Sequence, residues 1–134
     1  MPGVALLVLV LLSSSACATS TAEAPLAIGD VIDNYQKYDG KIVLVDACLN
    51  VTRHTMTLVD CRKGSPEVMF EAEKGSEAEY QRIIDAGFEN YGSEASQIRL
   101  KVSGTFKVLE GAYLRYVLNV KDVLEISAGK KSAR

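Results

Sequence analysis

Apolar and polar residues alternate along several stretches of this chain, and this alternation predicts β-strands. The clearest unit covers residues 40–61, in which two such stretches flank a polar tip between His54 and Thr55. That tip sets the strand pairing, which is Arg53 with Met56, Val51 with Leu58 and Cys48 with Cys61. Because directly opposed residues bring their Cβ atoms about 4.5–5.5 Å apart, the pattern predicts a β-hairpin with a Cys48–Cys61 disulfide. Two buried free thiols are the alternative.

The other elements follow from the same patterns. Further strands are predicted at residues 67–73, 98–109 and 113–126, and a short helix at 28–38 precedes the hairpin. A longer helix at 76–91 carries apolar residues at helical spacing on one face. The face comprises Tyr80, Ile83, Ile84, Gly87 and Tyr91.

Local signals refine these elements. Ser76 and Glu79 predict a capping box at the start of the long helix, and Gly92 predicts its end. Gly104, inside the fourth strand, predicts a bulge or bend, and the fifth strand is expected to be interrupted near Asn119. In the first strand, Ile42 and Leu44 lie on the face opposite to Val43 and Val45. Both faces are expected to be covered at the start of this strand. Tyr113 and Tyr116 should point to opposite faces.

The order β-β-β-α-β-β is that of the OB-fold, a mainly β, five-stranded barrel with one helix between strands three and four. Residues 38–45 (YDGKIVLV) resemble the "YDGKxVxV" opening strand of small bacterial exported OB-fold proteins, and residues 102–106 (VSGTF) resemble their "VxGxF" fourth strand. Ala47 stands where those proteins often have Gly. The resemblance implies a fold without a shared activity, so it assigns no catalytic residue.

The N-terminal residues predict export. Residues 4–12 are continuously apolar, too short to span a bilayer and typical of a secretory signal within residues 1–18. Cleavage after Ala18 is one reading. The other is a lipobox, which residues 14–17 (SSAC) resemble with Ser14 in place of the usual Leu, and which implies lipidation of Cys17. A buried N-terminal helix is a third reading.

Either processing route removes Cys17 from an odd set of three cysteines and leaves Cys48 and Cys61 to pair in an oxidising compartment. We therefore expect an exported protein, periplasmic or lipid-anchored to a bacterial envelope membrane. Its parts are a linker at 19–27, the folded domain at 28–127 and a disordered basic tail at 128–134.

Composition narrows the functional classes. The chain has 134 residues, one His and a formal net charge of −2, whereas a nucleic-acid binder normally carries a basic excess. We expect a binding module without a cofactor or bound metal, whose partner is an envelope protein, an oligosaccharide or a small ligand. OB-folds usually bind on strands two and three and the flanking loops. The candidates there are Arg53, His54, Thr57, Arg62, Lys63 and Phe70, with Val59 and Met69 beside them.

A hydrolase or nuclease is the competing class. It would need Asp46, Asp60, Arg53 and Arg62 to converge on one site; a solvated acidic face is the simpler reading of the carboxylates. A zinc site at His54 is disfavoured, since the cysteines lie several residue pairs away and no CxxC spacing occurs. Asn50-Val51-Thr52 matches a glycosylation sequon, but its place in a predicted strand argues against use.

Overall fold

The computed structural model describes residues 24–91 and 97–128 of the chain. The predicted signal sequence, Cys17, Gly92 and the end of the basic tail lie outside these residues. The strands and helices are β1 (Leu26–Ala27), α1 (Ile28–Asp33), α2 (Tyr35–Tyr38), β2 (Ile42–Val51), β3 (Met56–Val59), β4 (Val68–Ala72), α3 (Glu77–Asn90), β5 (Ile98–Leu109) and β6 (Arg115–Ala128).

Five of the strands close into a barrel. β2 pairs antiparallel with β3, β3 with β4, and β4 runs parallel to β6. β6 pairs antiparallel with β5, and β5 returns to β2. With α3 between β4 and β5 in the chain, this topology confirms the OB-fold prediction.

β1 is an additional strand that lies parallel to β2, with Leu26 opposite Val45 and Ala27 opposite Asp46. Its two residues belong to the stretch that was predicted to be a linker, so the folded part begins before residue 28. α1 follows directly and buries Val31 and Ile32, and the helix predicted at 28–38 is divided into α1 and α2 at Asn34.

The barrel interior is filled by the alternating apolar residues of the strands, including Val43, Val45, Ala47 and Leu49 of β2. Ile42 is 64% exposed, so the prediction that the start of this strand is covered on both sides is wrong. Tyr116 packs against the core and stacks on Phe106, whereas Tyr113 is exposed and lies in the turn before β6 rather than on the predicted strand.

Gly104 permits a close approach of β5 and β6. A Cβ atom at this position would collide with the carbonyl oxygen of Asn119. The register between the strands shifts beside it, because Ser103 pairs with Asp122 while Gly104 pairs with Val120. The irregularity predicted at Gly104 is therefore present, but the extra residue of the bulge is Lys121 of β6. β6 is thus irregular close to Asn119, as predicted, although it continues as one strand to Ala128.

The hairpin register differs from the prediction by two residues. Val51 faces Met56 and Cys48 faces Val59, because the tip is a four-residue loop, 52–55, rather than a tight turn at His54 and Thr55. Side chains alternate with a period of two along a strand, so a two-residue shift leaves every residue on its predicted face. The Cys48–Cys61 disulfide still forms, with a Cα–Cα distance of 4.9 Å.

The predicted capping box at α3 is also wrong, since Ser76 makes no side-chain capping hydrogen bond. Glu79 instead accepts the backbone N–H of Val123 at 2.9 Å and a hydrogen bond from Arg82 at 3.0 Å. Arg82 also donates to the Val123 carbonyl at 3.1 Å. These polar groups attach the first turns of α3 to β6, a partner that local sequence does not reveal.

We predict that Gly104→Ala lowers the free energy of unfolding by about 1–3 kcal/mol, the usual cost of overpacking. The added methyl group would press on the backbone of β6, which cannot move away as a flexible side chain could. Urea unfolding of Gly111→Ala is the matched control, because the nearest atom to its new Cβ lies 3.9 Å away. Equal stability of the two variants would contradict the close approach at Gly104.

We also predict that Cys48→Ala with Cys61→Ala costs about 3 kcal/mol of stability, the chain-entropy value for a loop of this length. Unfolding of the wild-type protein in reducing buffer should show a loss of similar size. A loss in the double variant but not on reduction would assign the effect to side-chain packing rather than to the covalent bond.

Candidate functional site

A cleft of about 400 Å³ opens between the loop 52–55 and the C-terminal half of α3. Its wall is mainly apolar and consists of Val51, Met56, Ile84, Phe88 and Tyr91, while the loop forms a polar rim with Arg53 and His54. Phe88 is 69% exposed and Tyr91 is 52% exposed. We refer to this feature as the tip cleft. Its volume and apolar wall are in the range of small-ligand sites.

Gly87 sets the distance between α3 and the hairpin. A Cβ at Gly87 would collide with the side chain of Met56 and lie 3.2 Å from Leu49 Cδ2. Ile83, one turn earlier, is fully buried in the core. With these residues against the barrel, the neighbouring row of Ile84, Phe88 and Tyr91, at i, i+4 and i+7, lies along the cleft.

Threonine side chains shape the rim of the tip cleft. Thr52 Oγ1 accepts the backbone N–H of Thr55 at 3.0 Å and that of His54 at 3.3 Å. The hydroxyl groups of Thr52 and Thr55 are 2.8 Å apart, and the Thr52 N–H donates to the Thr55 carbonyl at 2.9 Å. This local network closes the loop and leaves the side chains of Arg53 and His54 exposed beside the apolar wall.

The predicted binding residues do not all lie together. Arg62 and Lys63 follow β3 and form ion pairs with the N-terminal helix region: Arg62 with Asp30 at 3.5 Å and Lys63 with Asp33 at 3.6 Å. Neither residue lines the tip cleft. The predicted site is thus divided: Arg53 and His54 lie at the cleft, whereas Arg62 and Lys63 are paired with carboxylates of the N-terminal helix region.

The two predicted strand residues are buried. Phe70 points into the core and packs against Tyr80 with ring centroids 5.5 Å apart, so it does not offer the binding surface for which it was a candidate. Thr57 is 7% exposed, and its hydroxyl has no hydrogen-bond partner among the described residues. Beside them Val59 is also buried, whereas Met69 is 46% exposed.

Asp60 is the charged residue that is buried among the described residues. Its side chain is 1% exposed, and Oδ2 accepts the Gly29 N–H at 3.1 Å. Arg62 donates its backbone N–H and Nε to Oδ1 at 2.8 and 3.2 Å, and Nη2 to Oδ2 at 3.0 Å. The Arg62 side-chain hydrogen bonds hold the pKa of Asp60 far below its usual range and outweigh burial, which acts in the opposite direction.

Asp46 has a different partner. Its two carboxylate oxygens accept hydrogen bonds from Arg99 Nε at 2.9 Å and Nη2 at 3.1 Å, a bidentate pair across β2 and β5. That pair raises the pKa of Arg99. Asp46 and Asp60 therefore engage separate arginines, while Arg53 lies at the tip cleft. The convergence that the hydrolase hypothesis required is not formed by these four residues.

Metal-ligating side chains do not cluster in residues 24–91 and 97–128: no group of three or more His, Cys, Asp or Glu there could hold a metal ion. Cys48 and Cys61 are in the disulfide, and His54 lies in the loop of the tip cleft. Asn50 of the sequon lies in β2 and donates to Glu67 Oε1 at 2.8 Å.

The apolar wall of the cleft was not predicted from the sequence. Ile84 and Tyr91 were predicted on the core face of the helix, and Phe88 had no predicted role. The signal was present as a second apolar row at helical spacing, formed by residues 84, 88 and 91. Its meaning depends on how closely α3 approaches the hairpin, and that distance follows from the contact of Gly87 with Met56.

The fold and the disulfide define a small OB-fold domain stabilised by a covalent cross-link. Comparisons with protein-family models, curated proteins and solved structures found no match. Within the described residues, no helix has the length and apolar character needed to cross a membrane.

We predict that Asp60→Asn lowers the free energy of unfolding at pH 7 by about 1–3 kcal/mol, the cost of disrupting buried hydrogen bonds. Because the folded-state pKa of Asp60 is lowered, its stabilising effect is present above the unfolded-state value of about 3.9 and is lost as pH falls below it. The difference between wild type and Asp60→Asn should therefore shrink from pH 7 to pH 3.

Asp46→Asn is the control for this measurement. Arg99 is 59% exposed, so we expect that substitution to cost at most about 1 kcal/mol. Denaturant unfolding at both pH values would contradict the assignment if the Asp60→Asn deficit were unchanged at pH 3 or no larger than that of Asp46→Asn.

Proposed function

We propose that this protein is an exported OB-fold binding module whose ligand occupies the tip cleft. The observation that carries the proposal is the cleft of about 400 Å³ in which Phe88 and Tyr91 remain largely exposed beside the cation of Arg53. Exposed aromatic side chains grouped in a concave apolar site are costly in water and are typical of binding surfaces.

The composition of the tip cleft favours one ligand chemistry. The apolar wall provides a surface for an aliphatic or aromatic group, and Arg53 at the rim provides donors for an anion. An oligosaccharide would need more hydrogen-bonding side chains than this wall offers. The ligand is therefore an apolar group with an adjoining anion, carried by a small molecule or by a protein partner.

Export is supported by the same domain. A disulfide persists in oxidising compartments, and it joins two cysteines that an upstream signal sequence would leave as the mature pair. The predicted lipidation of Cys17 would hold the module at a bacterial envelope membrane. Its ligand would then be a component of the envelope.

The test uses 8-anilinonaphthalene-1-sulfonate, an aromatic anion that fluoresces in apolar sites. We expect saturable binding to the folded protein that is displaced by decanoate. Phe88→Ser and Arg53→Ser should each weaken binding about fivefold or more, the effect of losing about 1 kcal/mol of interaction. Tyr113→Ser is the matched control, because Tyr113 is 72% exposed and lies outside the cleft.

Equal binding by all variants would contradict the tip cleft as the site. A photo-crosslinking residue at position 88 separates the two sources of ligand in cells. A single protein adduct that Arg53→Ser abolishes would identify a protein partner, and displacement by decanoate without an adduct would identify a small amphiphile. Absence of both would overturn the proposal.

A further inference from the structure

The turn that joins β5 to β6 exposes apolar side chains at a second location. We define the β5–β6 tip as residues 107–115. Within it Leu109 is 41% exposed, Tyr113 is 72% exposed and Leu114 is 40% exposed. None of these residues lines the tip cleft. Burial of these side chains therefore requires a different contact.

Three cationic residues lie in or beside the β5–β6 tip. Lys107 and Arg115 belong to it, and Lys41 lies beside it, because the Phe106 N–H donates to the Lys41 carbonyl at 2.9 Å. Asp39 is the nearby carboxylate, and its Oδ1 accepts the Val108 N–H at 3.0 Å. With Glu110 at the turn, three cations stand against two carboxylates, whereas the whole chain has a net charge of −2.

The N-terminal part of the chain approaches the same side of the barrel. β1 is parallel to β2, with Leu26 opposite Val45, and Val45 is opposite Val102 of β5. Residues before β1 therefore come from the side on which β2 begins and β5 ends. Ala24 precedes Leu26 by two residues, which places it near the level of Gly104 in β5. Leu109 lies five residues beyond Gly104, so at about 3.3 Å per residue it projects about 17 Å past Ala24.

The length of the preceding segment matches this projection. Cys17 precedes Ala24 by seven residues, which can span at most about 25 Å. A lipid on Cys17 can therefore lie in the same plane as the β5–β6 tip. A bilayer that holds this lipid would meet the exposed side chains of Leu109, Tyr113 and Leu114.

From these observations we propose that the β5–β6 tip docks on an anionic phospholipid bilayer. Tyr113 and Leu114 enter the interfacial layer, where an amphipathic tyrosine ring is favoured, and Lys107 and Arg115 contact the headgroups. The proposal rests on the lipid-anchored form of the proposed exported module. It assigns the tip cleft, on a separate surface, to the ligand.

The absence of tryptophan from the chain allows a direct test. Tyr113→Trp and Phe88→Trp each introduce one fluorophore at an aromatic position of similar exposure, 72% and 69%. The full chain, purified from the envelope, is incorporated into vesicles of phosphatidylethanolamine and phosphatidylglycerol. We expect Tyr113→Trp emission to shift to shorter wavelength and to be quenched by lipids brominated on the acyl chain, and Phe88→Trp to show neither effect.

Two changes should remove the Tyr113→Trp shift. Leu114→Glu in the same chain places a charge in the interface, and high salt screens the headgroup attraction. A chain that floats with the vesicles while Tyr113→Trp keeps its emission in water overturns the docking and leaves the anchor intact. A chain that does not float overturns the proposal through its anchor, and neither result affects ligand binding at the tip cleft.

Discussion

The buried carboxylate of Asp60 joins the N-terminal helix to the barrel. It follows β3 directly and precedes Cys61, so the disulfide to Cys48 restrains the backbone that carries it. Its Oδ2 accepts hydrogen bonds from both the Gly29 N–H and the Arg62 guanidinium. A Cβ at Gly29 would occupy the position of the carboxylate. A helix too short to be stable alone is thus held by the Gly29–Asp60 hydrogen bond, by two ion pairs, Arg62–Asp30 and Lys63–Asp33, and by the burial of its apolar face.

The absence of a side chain at two further glycine residues shapes the elements that carry both proposed surfaces. At Gly87 the absent side chain lets α3 approach Met56, and the helix face beside that contact forms the wall of the tip cleft. At Gly104 it lets β5 and β6 close together before they extend to their exposed turn. The two surfaces lie on different elements, so the proposed membrane contact and the proposed ligand would not compete for the same residues.

The hairpin shows how far sequence patterns can be taken. The disulfide was predicted from a register that proved to be two residues out, and it survived because an even shift preserves the faces of both strands. The environments of charged residues were predicted less accurately than the strand faces. Asp60 was expected on a solvated face, but Arg62 and Gly29 stabilise it in the interior. Phe70 was a candidate binding residue and lies in the core.

The sequence by itself determined the order of the five barrel strands along the chain, the position of α3 between β4 and β5, the irregularity beside Gly104 and the cysteine pair. These features follow from local periodicity and from residues whose backbone requirements are local. Only the tertiary structure decided which polar groups pair and which apolar groups remain exposed. Glu79 accepts a hydrogen bond from Val123 rather than from its own helix terminus, and Phe88 lines a cleft. Both outcomes depend on contacts between residues that are far apart in the chain.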